Sequence, residues 1–132
     1  MGPHLDPHPG MQMGMKVGPW VLSELLAASR APDFTWSPLR PGVDEHRLYG
    51  VDGERGPTVS LLRYAPGARV AAHRHTGTEQ IHVLAGSQRD AHGTYSAGTV
   101  VINLAESTHD VVSDDGCTVF IVWERPVAFL DE

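Results

Sequence analysis

Residues 67–86 read GARVAAHRHTGTEQIHVLAG, and two histidines and a glutamate stand within them at spacings that suit metal coordination. Side chains at i and i+2 of a strand leave from the same face, so His73 and His75 point together while Arg74 points away. The triplet TGT at 76–78 can turn the chain, with Gly77 tolerating a positive φ. Glu79 then opens a neighbouring strand. Two imidazoles and a carboxylate meeting in this way form a facial N,N,O set suited to Fe(II), Mn(II), Ni(II) or Zn(II). A fourth ligand must come from another strand. His82 is three residues past Glu79 and is expected on the opposite face; His92 falls in RDAHGTY, a hairpin-turn pattern. His109 begins the strand HDVV after the loop LAEST and is the best-placed candidate. His4 and His8 are expected to be solvated.

The elements that must position these residues are mostly short strands. Residues 1–18, MGPHLDPHPGMQMGMKVG, show no periodicity and read as an irregular arm, followed by a single domain over 19–132. PWVLSELLAASRAP (19–32) predicts one short amphipathic helix, begun by Pro19 and stopped by Pro32. Its apolar stripe is expected to cover a sheet. From residue 34 onward, extended segments at 46–51, 58–64, 70–75, 79–86, 87–93, 94–104, 109–116 and 117–130 are separated by turn signals about every 8–12 residues. That spacing predicts an all-β sandwich or barrel.

Bulk properties narrow the partners. A chain of 132 residues with 41% hydrophobic and 20% charged content accommodates one packed domain. A net charge of -6 argues against nucleic acid, because phosphate binding needs a basic face. The apolar runs VFIVW and TVVINLA are too short to span a bilayer. The single cysteine, Cys117, and the absence of a signal-peptide pattern point to the cytoplasm; Cys117 reads as a small buried hydrophobe. Trp20, Trp36 and Trp123 read as packing anchors.

The stretch Gly67–Gly86 follows G-x5-H-x-H-x3-E-x6-G, and by it the chain resembles the cupin superfamily at every fixed position of its first motif. The second motif, G-x5-P-x-G-x2-H-x3-N, keeps Gly98 and His109 in register but has Leu104, Glu106 and Ser113 at the proline, glycine and asparagine positions. Between Tyr64 and Cys117 the chain further resembles the cupin domain of ChrR-type anti-sigma factors and acetylacetone-cleaving dioxygenases. The shared features are the PGA turn, G-x-Y-x-x-G at 93–98, and a histidine followed by a GC pair. The resemblance implies a double-stranded β-helix, or jelly-roll barrel, with one short N-terminal helix. It also implies one divalent metal ion per subunit, Fe2+ favoured over Zn2+, Mn2+ or Ni2+, held by His73, His75, Glu79 and His109. A homodimer is expected, which a sedimentation run giving a monomer at micromolar concentration would refute.

Strand parity places Ile81 and Val83 on the face of Glu79, giving an apolar lining suited to a small ligand. Arg63, Tyr64, Gln80, Gln88, Tyr95 and Asn103 are polar residues near this lining, of which Arg63, Tyr64 and Gln88 are the catalytic candidates. Arg63 lies one strand before the histidines, and turned inward its guanidinium suits a carboxylate or enolate. These features predict a mononuclear non-haem Fe(II)-type dioxygenase acting on a small carbonyl or enolate compound. The alternatives are a ChrR-like sensor or ligand-binding module, and a redox-silent isomerase or lyase. A storage or structural role predicts a closed site with no cavity beside the metal. ChrR-type proteins carry a zinc-binding helical domain that holds a sigma factor. The absence of cysteine from residues 1–33 therefore puts the anti-sigma reading behind the enzymatic one.

Overall fold

The computed structural model describes residues 18–50 and 56–130. His4, His8 and nearly all of the expected arm lie outside them. The chain divides into two units between Thr35 and Trp36. The first holds one helix, α1 (Leu25–Ser29), shorter than the periodicity of residues 19–32 predicts. Glu24 precedes it at φ 53, a left-handed conformation through which a right-handed helix cannot continue. Trp20 is 42% exposed rather than a buried anchor.

The second unit meets the all-β expectation. Its strands are β1 (Ser37–Arg40), β2 (Val43–Tyr49), β3 (Thr58–Tyr64), β4 (Ala68–His75), β5 (Glu79–Asp90), β6 (Gly93–Ser96), β7 (Val100–Asn103), β8 (Thr108–Ser113), β9 (Cys117–Trp123) and β10 (Val127–Phe129). All pairings are antiparallel. One sheet runs β1-β2-β3-β9-β5-β7 and the other β10-β4-β8-β5-β6. β5 belongs to both: its first half pairs with β7 and β9, its second half with β6 and, at Arg89, with β8. The segments 79–86 and 87–93, distinct in the sequence reading, are therefore mostly one long strand that crosses from sheet to sheet.

Inward positions of both sheets supply the core, with Val43, Leu62, Ile81, Val83, Val111 and Val119 each at most 4% exposed. Each such side chain contributes about 1.5–3 kcal/mol by leaving water. Two bulges set which residues look inward. In β4 the register shifts between Val70 and His73, so both face the core although three residues apart. In β5 it shifts between Val83 and Ala85. Gly86 follows at φ 74, where a Cβ would stand 2.0 Å from the Gly116 carbonyl oxygen. Gly77 does not use the positive φ that a glycine tolerates. Its role is close approach: a Cβ there would meet the Cβ atoms of Glu124 and Arg125 at 3.1 and 3.2 Å.

Candidate metal centre

β4 and β8 pair with His73 opposite His109, and the 76–78 turn carries the chain from His75 to Glu79 at the start of β5. The ligand atoms of His73, His75 and His109 all lie within 4.8 Å of one another. His73, His75 and Glu79 are 4%, 1% and 4% exposed, and the His109 side chain 5%. Strand parity thus places the pair His73 and His75 as expected, and the barrel brings in the third imidazole.

Each imidazole is held from behind. His73 Nδ1 donates to the Ala71 carbonyl at 2.8 Å, and His75 Nδ1 contacts the carbonyl and hydroxyl of Ser107 at 3.0 and 2.9 Å. His109 Nδ1 meets Asp90 Oδ2 at 3.1 Å. Carbonyls and carboxylates only accept, so these contacts put the proton on Nδ1 and leave Nε2 as a lone pair. The Nε2 atoms of His75 and His109 are buried without a hydrogen-bond partner. A buried unsatisfied polar atom costs about 1–3 kcal/mol. Three imidazoles with Nε2 lone pairs in one buried cluster fit a divalent cation, which relieves that cost. Burial lowers the pKa of His73, with the neighbouring His109 and His75 adding to it, which favours the neutral, ligating form.

Glu79 adjoins the cluster. Its Oε1 lies 3.1 Å from His75 Nε2, outside hydrogen-bond alignment, and 3.9 Å from His109 Nε2. Asn103 Nδ2 donates to Oε1 at 3.0 Å and Trp123 Nε1 to Oε2 at 2.6 Å; both residues are cross-strand partners of Glu79. Burial opposes ionisation of Glu79, but His75, Trp123 and His109 outweigh it and hold the carboxyl below its ordinary range. Asp90 is ionised for similar reasons: burial is outweighed by His109, the His92 backbone N–H and the Tyr95 hydroxyl.

A cavity of about 220 Å³ opens beside the cluster, with His73, Glu79 and His109 among its walls and the rest mostly apolar. Tyr64 lines it, 6% exposed, and burial pushes its phenol far above the ordinary range, so it stays protonated. Gln88 is 3% exposed but faces a smaller recess with Asp90 and His109. Arg63 corrects the sequence reading. It alternates outward on β3, pairs with Asp44 at 2.9 Å and lies over Trp36, 4.4 Å from the ring centroid, so it takes no part in the cavity. His82 contacts Gln80 and sits edge-on to Phe120, away from the cluster, and His92 is exposed in the β5–β6 turn. Cys117 is a buried free thiol whose pKa burial raises, in keeping with a packing role.

Asp90, Ser107 and Trp123 are functional candidates that sequence reasoning missed. Parity counted from Glu79 sends Asp90 outward, and only the bulge after Val83 returns it to the inside. Nothing in the sequence around Trp123 signals more than packing.

Two facing antiparallel sheets around a buried histidine cluster define a β-barrel with a candidate three-histidine metal site. Residues 26–127 match the family described as the ChrR cupin-like domain, and the chain belongs to it. An RmlC-like cupin from Ralstonia eutropha superposes with a TM-score of 0.66 at 26% identity, over 77% of this chain and 71% of that one. The anti-sigma factor ChrR, solved in complex with SigE from Rhodobacter sphaeroides, gives 0.62 at 27% identity, over 87% and 74%. An acetylacetone dioxygenase from Acinetobacter johnsonii gives 0.68 at 15% identity, over 78% and 76%, a likeness of fold. Comparison with curated proteins returned no match. The fold is the cupin jelly roll. Among the described residues, no helix is long and apolar enough to cross a membrane.

Proposed function

We infer that the chain is a metal-dependent cupin dioxygenase acting on a small carbonyl compound that binds as its enolate. The observation that carries this reading is the cluster of His73, His75 and His109, two members of which, His73 and His109, line a mostly apolar cavity of about 220 Å³. A purely structural metal site is closed. His73, His75 and His109 would hold the metal, with Glu79 as the fourth ligand. An Fe(II) ion there supplies a Lewis acid for the enolate and an electron path to O2. The chain's own contribution is positional. Asn103 and Trp123 hold the Glu79 carboxylate, Asp90 and Ser107 hold the imidazoles, and Ile81, Val111 and Ile121 keep water from the reacting end of the cavity. The fold shared with an acetylacetone dioxygenase supports the substrate class.

The test is O2 uptake by iron-loaded protein across a panel of β-diketones, β-diketo acids such as acetopyruvate, and phenolic ketones. Uptake matching substrate loss is expected; its absence across the panel sinks the oxygenase reading. A second reading, a ligand-binding sensor, is favoured by the match to the ChrR cupin-like family and to the SigE-bound anti-sigma factor. It predicts ligand binding without turnover.

A further inference from the structure

We propose that Arg40 is the recognition site for a carboxylate on the ligand, so that the chain takes a small keto acid rather than a neutral diketone. The proposal deepens the reading above and rests on it for the ligand's other end. Two arginines, Arg40 and Arg47, line the cavity. Arg47 is neutralised by Glu45 at 3.1 Å, and the Ser60 hydroxyl fixes that carboxylate at 2.6 Å. Among the described residues, no carboxylate lies within ion-pair distance of Arg40. Its guanidinium lies over the Phe129 ring, 3.7 Å from the centroid. Phe129 in turn packs against His73 at 5.5 Å between centroids, because β10 pairs with β4 at Phe129 and His73. The Phe129 ring therefore touches both the histidine cluster and the guanidinium, and all three border one cavity.

The carboxylate in the lining, Glu79, is already engaged by Asn103 and Trp123. The cavity thus borders imidazole lone pairs suited to a metal and, elsewhere in its lining, an exposed guanidinium with no acidic partner among the described residues, in a chain whose net charge is -6. A guanidinium matches a carboxylate with two parallel hydrogen bonds, and stacking on an aromatic face holds the fork in place without using its donors. A volume of about 220 Å³ holds roughly seven water-sized groups at about 30 Å³ each, the scale of a short-chain dicarbonyl acid. The role expected of Arg63 falls instead to Arg40.

The test uses the full chain loaded with zinc, which is redox-silent, so that calorimetry reads binding without oxidation. The probes are acetylacetone and acetopyruvate, which differ by a carboxylate in place of one methyl group. Wild type is expected to bind acetopyruvate at least about tenfold more tightly. Arg40→Met keeps an apolar stem on Phe129; it should abolish that preference, leave the acetylacetone Kd within about twofold and leave zinc content unchanged. Arg40→Lys should keep part of the preference. The proposal is overturned if wild type shows no preference, or if the preference survives in Arg40→Met, as it would if the metal alone held the carboxylate. An Arg40-dependent preference without O2 uptake by the iron form removes the oxygenase reading and leaves this one standing. Uptake without an Arg40-dependent preference does the reverse.

Discussion

His109 shows how a single ligand is made competent. Its Nδ1 is bound to Asp90, itself held by the Tyr95 hydroxyl at 2.8 Å and the His92 backbone N–H at 2.8 Å. The Asp90 side chain is only 4% exposed, so its charge is little screened by water. Such carboxylate–histidine contacts orient the ring and raise its basicity, and losing one costs about 10–100-fold in metal affinity. Asp90→Asn, which keeps an acceptor but no charge, should fall near the low end of that range and Asp90→Ala near the high end. Chelator competition measures both; unchanged affinity in the pair would remove Asp90 from the site. The contrast with Arg63 is instructive. Both are polar residues on strands of the barrel, and the direction of the strand face helps to separate a site residue from a surface ion pair.

At the scale of elements, β5 decides most of the geometry. Its first half presents Glu79, Ile81 and Val83 to the barrel interior, and its second half turns Gln88 and Asp90 inward after the bulge reverses parity. Gly86 makes the crossing possible, because a side chain there would collide with the Gly116 carbonyl and would have to adopt φ 74. Gly86→Ala should therefore destabilise the fold by about 2–4 kcal/mol, read as a lower urea midpoint with an unchanged slope. A loss under about 0.5 kcal/mol would mean that β5 can bend elsewhere. The loop before β8 works similarly. Glu106 stands at φ 77 where the second motif has glycine, and its N–H bonds the His75 carbonyl at 2.7 Å. The departure from the motif therefore leaves the turn's conformation intact, and with it the Ser107 contact to His75.

Across the whole molecule, the buried ionisable groups set a pH window for stability. Burial lowers the pKa of His73 from 6.5, so the unfolded chain takes up a proton that the folded chain resists. That stability is present above about 6.5 and is lost as pH falls further. Glu79, lowered from 4.5, adds a second loss at still lower pH. Burial raises Cys117 from 9.0 and Tyr64 from 10.0, so the unfolded chain releases protons first and stability also falls above about 9. The thermal midpoint of metal-free protein should be flat between about pH 7 and 8.5 and decline on either side. A midpoint that rises on going from pH 7 to 5.5 would contradict the burial of neutral His73.

The sequence by itself determined the class of the fold and pointed to all four candidate ligands. Alternating strands with frequent turns require two facing sheets, and the i, i+2 spacing of His73 and His75 fixes their shared face whatever the rest of the chain does. The register of the motif then pointed to His109. Only the tertiary structure decided what surrounds these ligands. Asp90 enters through a bulge and Trp123 through cross-strand pairing with Glu79, while Arg40 reaches the cavity from the opposite sheet to Phe129. Local periodicity reports which side of a strand a residue occupies. It carries no record of where the strand kinks or which strand becomes its neighbour, and those long-range choices assemble the cavity.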